Sequence, residues 1–291
     1  SLFSFRFLAY NPIFARSHLN FIGSLSDSLI EAGHEVEMMN LRDAWHGQCN
    51  FTLYHQEIIE ELIREKYDGA FSEPICMCGF ALFNHIGITN YAVTLSIASS
   101  EGSFETTGAP SFPSYVPGIR IYLGEKMNFF ERIHNSFNYF VLGLFVPGIR
   151  NPFDAMFKQR FGLEFPNIDN IINNSSFFFV NSEPLIDFPK ITTHKLIDIG
   201  GIGVSSGHQK VNETWSEILN RREKNVLISF GTVAKSYLMP DQYKKSIIET
   251  ARNNPDVTFI WKYEKPEHRI SQGIDNLVEA TWIPQNDMLC E

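Results

Sequence analysis

The sequence predicts an α/β protein made of two successive runs of strand–helix–strand units. The chain has 291 residues, enough for about two domains of ordinary size. Its beginning has the pattern of an apolar strand over residues 5–10, a helix over 18–32 and a strand over 36–39, and a second unit of this kind begins at Asn225. Such a β-α-β unit is the repeating piece of a doubly wound parallel sheet.

The other elements of the first half continue this alternation. Asn11 and Pro12 end the first strand, and Gly33 ends the first helix as a glycine at the C′ position does. The pattern then predicts helix 56–66, strand Gly69–Ser72, helix Cys78–His85, strand 91–96, a loop rich in Ser, Gly, Pro and Thr over 101–120, and strands 177–181 and 195–200.

The segment 126–162 is predicted to be helical and is crowded with aromatic side chains. A helix lying on a membrane surface is one interpretation of this segment. A buried pair of core helices is the other, and we favour it because basic residues do not line one face. The aromatic residues are Phe129, Phe130, Phe137, Tyr139, Phe140, Phe145, Phe153, Phe157 and Phe161.

The second half begins after a polar segment that we interpret as an interdomain linker, residues 204–223. The pattern after it predicts strand 225–230, a turn at Gly231-Thr232, helix Asp241–Asn253 and strands 257–263 and 277–281. Three strands are too few for a doubly wound sheet. The second domain is therefore expected to be incomplete in this chain.

Composition excludes several classes of function. A net charge of −9 argues against a nucleic-acid partner, which requires a basic surface. Four cysteines are too few for a disulfide scaffold, and Cys76-Met77-Cys78 lacks a second pair at metal-ligand spacing. No apolar run reaches 18 residues, so no membrane span is predicted. Glycosylation sequons at Asn50, Asn173, Asn174 and Asn212 mildly favour a lumenal or secreted protein.

Several short motifs together resemble the UDP-glycosyltransferase family, which includes the UDP-glucuronosyltransferases, and its nematode branch in particular. The segment Trp282-Ile283-Pro284-Gln285-Asn286-Asp287 resembles the family's uracil-reading motif. The other matching segments are Tyr10-Asn11-Pro12, Ser17-His18, residues 31–36, Ser114-Tyr115-Val116-Pro117, residues 228–232 and residues 259–264. The resemblance implies a GT-B fold, with two Rossmann-like domains facing across a cleft. Residues 1–203 would bind the acceptor and 224–291 would be a partial UDP-sugar-binding domain.

The resemblance assigns the catalytic base to His18. An imidazole suits proton abstraction from an acceptor hydroxyl near neutral pH. His34 is the rival, and its position after Gly33 favours a structural role. The family places an aspartate behind the base, and this sequence has Glu73 there. Glutamate reaches one methylene further, and a solvated loop carboxylate is the alternative interpretation.

The resemblance places the UDP-sugar among two segments of the second half. Ser229, Gly231 and Thr232 would approach the phosphates, since glycine lets backbone N–H groups come close. Trp282 would stack on uracil, and Gln285 and Asn286 would bond the base or ribose. Core burial is the alternative for Trp282. No cofactor is expected, because UDP-glucuronate or UDP-glucose is the donor substrate and Gly200-Gly201-Ile202-Gly203 lacks a dinucleotide fingerprint's spacing.

The resemblance also implies partners and a location. The acceptor would be a small lipophilic molecule, and the inverting transfer would take place on the lumenal side of the endoplasmic reticulum membrane. Membrane association is expected of the full-length protein, and so is pairing as a homo- or hetero-oligomer with family members. Because the donor domain looks incomplete, a truncated isoform that binds acceptors or partners without transferring sugar is the alternative function.

Overall fold

The computed structural model describes residues 4–12, 16–41, 45–75, 77–98, 107–118, 123–124, 126–204, 210–232 and 234–290 of the 291-residue chain. The chain divides into two compact units, Ser1–Gly203 and Val204–Glu291. Each unit has its own parallel sheet and its own apolar clusters, and each is therefore described by itself.

The first unit is built on a six-stranded sheet whose neighbouring strands all pair in parallel. The strands are β1 (Arg6–Pro12), β2 (Glu35–Leu41), β3 (Gly69–Ser72), β4 (Tyr91–Leu95), β5 (Phe177–Val180) and β6 (Leu196–Asp198). Their order across the sheet is β2-β1-β3-β4-β5-β6, which reverses direction between β1 and β3. In open parallel sheets, ligands bind outside the carboxyl ends of the strands at such a switch point.

Helices cover both faces of this sheet. They are α1 (Arg16–Glu31), α2 (Trp45–Tyr54), α3 (Gln56–Glu65), α4 (Cys78–His85), α5 (Phe129–Phe161) and α6 (Ile168–Asn173). α1 buries Phe21, Ile22 and Leu25 against one face, and the other helices pack on the opposite face. Because β3 and β4 are covered on both faces, all their residues are buried, as parallel strands in such sheets are. The predicted α/β class is confirmed.

The prediction that segment 126–162 forms a buried helix pair is wrong for its first half. α5 is a single helix whose later residues Phe153 and Phe157 are fully buried. A helix of this length spans about 50 Å, at about 1.5 Å per residue, whereas the longest strand of the sheet spans roughly 23 Å. The sheet therefore cannot cover it all. The large apolar residues left exposed are Phe129, Phe130, Ile133, Phe137, Phe140, Leu144 and Phe145.

Two close contacts hold α4 in place. A Cβ added at Gly79 would lie 2.7 Å from Ser72 Oγ and 2.8 Å from a ring carbon of Tyr10, so only glycine lets α4 approach β3 and β1 this closely. Cys78, at the start of α4, forms a disulfide with Cys49 of α2. The cysteine count predicted no disulfide scaffold, and it did not identify this single bond.

The second unit contains one three-stranded parallel sheet within its described residues. Its elements are α7 (Glu213–Leu219), β7 (Lys224–Ile228), α8 (Asp241–Asn253), β8 (Val257–Lys262), β9 (Leu277–Ala280) and α9 (Gln285–Met288), and the strand order is β7-β8-β9. α8 packs on one face through Ala251, and α7 packs on the other through Ile218. β8 lies between the other two strands, so the residues that follow β7 and β9 flank its carboxyl end.

Candidate active site

His18 and Glu73 lie at the carboxyl edge of the first sheet, at the β1–β3 switch point. His18 is in the first turn of α1, which follows β1, and Glu73 comes directly after β3. β1 and β3 pair with Tyr10 beside Ser72, which brings the two following segments together. Both side chains are buried, with 8% of His18 and 1% of Glu73 exposed. A carboxylate this deep requires hydrogen-bond partners within the protein.

The His18 ring contacts the Glu73 carboxylate directly. Nδ1 of His18 lies 2.5 Å from Oε2 of Glu73. An ionised carboxylate can only accept hydrogen bonds, so Nδ1 carries the proton in this contact, and Nε2 is then the nitrogen of the neutral ring that can take up a proton. The predicted pairing of these two residues is thus present in the geometry. Such a carboxylate orients an imidazole base and stabilises the imidazolium that forms.

Ser96 is a third member of this cluster, and sequence reasoning missed it. It directly follows β4, the neighbour of β3. Its Oγ lies 2.8 Å from Nδ1 of His18 and 2.7 Å from Oε1 of Glu73, and its backbone N–H donates to the same oxygen at 2.8 Å. The only signal in the sequence was a serine at the end of a predicted strand, the position at which open α/β sheets place ligand-binding residues.

His34, the rival base, lies at the opposite edge of the sheet. It immediately precedes β2, whose first residues pair with the start of β1. Its Nδ1 accepts the backbone N–H of Phe5 at 3.3 Å, and its ring packs against those of Phe5 and Phe7. His34 therefore holds the amino end of β1 and lies away from the His18–Glu73 pair.

A second polar cluster follows β5 and β6 at the same carboxyl edge. Ser182 Oγ donates to Asp187 at 2.8 Å, and Lys190 also contacts this carboxylate. Burial alone would raise the pKa of Asp187, but the hydrogen bonds from Lys190 and Ser182 hold it below the usual value. For Asp198, burial raises the pKa, although Lys190 opposes the shift. Oδ1 of Asp198 is buried without a hydrogen-bond partner among the described residues.

In the second unit, Lys262 contacts the predicted phosphate-binding segment at Gly231 and lies near Trp282, the predicted uracil-stacking residue. It is the last residue of β8, its side chain is 7% exposed, and its ammonium group donates to the backbone oxygen of Gly231. Gly231 has φ +79°, a left-handed conformation that favours glycine. Glu264 lies 3.6 Å from the ammonium nitrogen. Sequence reasoning noted Lys262 within a family motif but assigned it no role.

Trp282 follows β9, and the centre of its ring lies 6.0 Å from the ammonium nitrogen of Lys262. Half of the residue is exposed, so the alternative of a core tryptophan does not hold, and the next residue, Ile283, is the buried one. Gln285 and Asn286 begin α9 and are both exposed. Because they start a helix that follows a strand, they lie on the same carboxyl side of the sheet as Trp282.

Ser229 and Thr232 lie in the segment that follows β7. Ser229 Oγ accepts a hydrogen bond from the Gly231 N–H at 3.4 Å, and Thr232 is half-buried. Gly231 thus contacts Lys262 directly, and Ser229 and Thr232 lie beside Gly231 in the same segment. His18 and Glu73 belong to the first unit and form a separate cluster.

Within the residues that the structure describes, no group of three or more His, Cys, Asp or Glu side chains is arranged to hold a metal ion. No helix in that part of the chain is both long enough and apolar enough to cross a bilayer.

Solved structures share this fold over nearly the whole chain. The glycosyltransferase SnogD from Streptomyces nogalater superposes with a TM-score of 0.57 at 12% identity, covering 99% of this chain and 74% of its own. Spinosyn forosaminyltransferase SpnP gives a TM-score of 0.59 at 14% identity, covering 98% and 72%. These are GT-B glycosyltransferases, so the predicted GT-B class is confirmed at the level of fold.

Curated sequences give the same family. The Caenorhabditis elegans protein ugt-48, which carries the name UDP-glucuronosyltransferase, is 24% identical over 98% of this chain and 66% of its own length. The 2-hydroxyacylsphingosine 1-beta-galactosyltransferase of Mus musculus is 27% identical over 87% of this chain and 46% of its own length. The chain thus spans no more than two thirds of these relatives. The family model described as UDP-glucoronosyl and UDP-glucosyl transferase matches residues 14–291, and the chain belongs to that family.

Proposed function

We propose that this chain contributes the acceptor side and part of the donor side of a UDP-glycosyltransferase. The reaction would move a hexose or hexuronic acid from a UDP-sugar to a small lipophilic acceptor. The observation that carries the proposal is the buried His18–Glu73 pair, with its 2.5 Å contact at the switch point of the sheet. Ligands bind at such a point in parallel sheets, and a paired imidazole is suited to remove a hydroxyl proton there.

In the proposed reaction, each bond that forms or breaks involves a specific group. The acceptor oxygen attacks C1 of the sugar from the side opposite UDP, which inverts that carbon. The bond between C1 and the β-phosphate oxygen breaks, and its electron pair leaves with UDP. The acceptor proton passes to Nε2 of His18, and Glu73 stabilises the imidazolium that results. No cofactor takes part, since the UDP-sugar supplies the leaving group.

The arrangement in the second unit supports a role in binding the nucleotide. Trp282 presents an exposed ring on which uracil would stack. Gln285 and Asn286 follow it and would bond the base or ribose. The turn at Gly231, with Ser229 and Thr232, would approach the phosphates. We propose UDP-glucuronate or UDP-glucose as the donor.

The acceptor would be apolar. The first half of α5 exposes an unusual concentration of aromatic and aliphatic side chains, in the same unit as His18. Ligand pockets are lined mainly by such residues. We take this exposed apolar surface as support for a lipophilic acceptor.

We also propose that the protein folds in the lumen of the endoplasmic reticulum. The disulfide between Cys49 and Cys78 supports this location, because structural disulfides form in oxidising compartments and are rare in the cytosol. Membrane association and pairing with itself or with relatives would belong to the full-length protein.

The test is a transfer assay with UDP-glucuronate and UDP-glucose as parallel donors and a set of lipophilic phenols as acceptors. Conjugates are detected by liquid chromatography and mass spectrometry. We expect His18→Ala to lower kcat by about 10²–10⁴-fold, and Glu73→Gln to have a comparable effect because it disturbs the tautomer. His34→Gln is the matched control, since His34 bonds Phe5 at the opposite edge of the sheet, away from His18.

Retention of full activity by His18→Ala would overturn the assignment of the base. Binding of acceptors by the wild-type chain without any transfer would instead support the second candidate function, a protein that binds acceptors or partners only. Calorimetry with the same phenols separates these outcomes.

A further inference from the structure

We propose that Ser96 is the positioning residue of the His18–Glu73 base. This inference rests on the proposed function. It assigns to Ser96 the task of holding the longer Glu73 side chain and of fixing which nitrogen of His18 carries the proton.

The Glu73 carboxylate is held by Ser96 from two directions. Oε1 accepts the backbone N–H of Ser96 at 2.8 Å and its hydroxyl at 2.7 Å, while Oε2 is left to contact His18 Nδ1 at 2.5 Å. Glutamate has one more rotatable bond than aspartate, so its carboxylate is harder to hold in one orientation. Two donors on the same oxygen remove that freedom.

The hydrogen-bond donors and acceptors then determine the tautomer of His18. A serine hydroxyl has one proton, and here it is donated to Oε1 of Glu73. The Ser96 oxygen can therefore only accept from Nδ1 of His18, which lies 2.8 Å away. Glu73 Oε2, on the same nitrogen, also can only accept. Both neighbours require a proton on Nδ1, and Nε2 of the neutral ring is consequently left as the base.

The backbone at Ser96 is fixed independently of its side chain. Asn181, which follows β5, donates its backbone N–H to Leu95 and its side-chain amide to the Ser96 carbonyl oxygen at 3.0 Å. The N–H of Ser96 continues to bond Glu73 whatever the side chain is. Replacing Ser96 with alanine therefore removes the hydroxyl and leaves the rest of the segment supported.

The first experiment observes the histidine ring nitrogens by NMR, in the whole chain labelled with ¹⁵N only at histidine. The His18 signals, among the nine histidines, are assigned as those lost in His18→Gln. When the ring is neutral, we expect wild-type Nδ1 to carry the proton and Nε2 to carry none. In Ser96→Ala, Nδ1 loses one of its two acceptors and Oε1 of Glu73 loses one of its two donors, so Glu73 holds the tautomer less firmly. The two ring shifts should then move toward each other as the tautomers mix, and Ser96→Thr should restore them.

The matched control is Ser182→Ala. It removes another serine hydroxyl that bonds a carboxylate at the same sheet edge, and no contact of Ser182 with His18 is seen among the described residues. Its His18 signals should equal those of the wild type. Melting temperatures of all variants confirm that each is folded. Ring shifts of His18 that are identical in Ser96→Ala and wild type would overturn the proposal.

The second readout is kinetic. We expect Ser96→Ala to lower kcat by about tenfold or more, because a hydrogen bond to a charged group is lost, with little change in KM for either substrate. Ser96→Thr should recover most of the rate. If the wild-type chain transfers no sugar, the proposed function fails while the NMR shifts still decide the role of Ser96. If transfer occurs and Ser96→Ala retains full kcat, the role of Ser96 fails alone.

Discussion

The ammonium nitrogen of Lys262 lies 6.0 Å from the centre of the Trp282 ring, so a buried cation and an exposed aromatic face meet at the end of the second sheet. β8 and β9 create this relationship by pairing Lys262 with Ala280, two residues before Trp282. The Trp282 ring is exposed, whereas the Lys262 ammonium group is held by the backbone oxygen of Gly231 and by Glu264.

Trp282→Ala should weaken UDP binding without unfolding the protein. Stacking of a base on an aromatic ring contributes about 1–3 kcal/mol, which corresponds to a Kd roughly 5- to 150-fold higher. Titration calorimetry with UDP measures this change, and Trp282→Phe should keep part of the affinity. Equal affinities of the wild type and Trp282→Ala would exclude a stacking role for this ring.

Lys262→Met should destabilise the second unit. It would leave Glu264, whose side chain is 14% exposed, without its cation, and Oε2 of this carboxylate already lacks a hydrogen-bond partner among the described residues. Breaking a buried ion pair costs up to about 3–5 kcal/mol of unfolding free energy. Urea denaturation should show this loss, and Lys262→Met combined with Glu264→Gln should recover part of it. No recovery in the double variant would mean that the lysine stabilises the fold through its bond to Gly231 alone.

Asp198→Asn should make the protein more stable at neutral pH. Burial raises the pKa of Asp198 in the folded state, so the folded protein binds more protons than the unfolded chain between the unfolded value, about 3.9, and the raised value. The stability that this raised pKa contributes is fully present below the pKa of the unfolded chain. It is lost as the pH rises through the raised pKa of the folded protein. The gain from Asn should be largest above the window and smallest below pH 4 or so. Denaturant titrations at both ends check the sign, with Asp256→Asn as an exposed control.

Removal of the Cys49–Cys78 disulfide should lower the free energy of unfolding. Closing a loop with a sequence separation of 29 residues restricts the unfolded chain, and for this length the effect is about 3–4 kcal/mol. Denaturation of a Cys49→Ala, Cys78→Ala double variant measures it. A reducing agent should have the same effect on the wild type and none on the double variant. Cys290→Ser is the control, because Cys290 is an exposed free thiol.

The sequence was sufficient where a local pattern decides the structure. Gly69–Ser72, Cys78–His85 and Asp241–Asn253 form where the periodicity predicts them, and Gly33 ends α1 with φ +91°. The positions of His18 and Glu73 after neighbouring strands followed from the order of parallel strands and from the family resemblance.

What the sequence did not reveal depends on distant partners. Ser96 is an ordinary serine until β4 brings it beside β3, and Lys262 is an ordinary strand end until β7 and β9 flank it. The favoured interpretation of a buried helix pair also did not predict the exposed first half of α5, because an aromatic-rich helix has the same pattern whether a sheet covers it or not. Whether a sheet covers a helix depends on the lengths of both the helix and the strands.

The His18–Glu73–Ser96 cluster has a consequence for folding. Glu73 and Ser96 lie 55 and 78 residues after His18 in the sequence, and the three residues follow three different strands. Helices form quickly and locally, whereas contacts between distant segments form late because long loops must first close. During refolding, far-ultraviolet dichroism should therefore recover before the native NMR signals of the His18 ring do. Recovery of those ring signals would report that β1, β3 and β4 have joined in their native order.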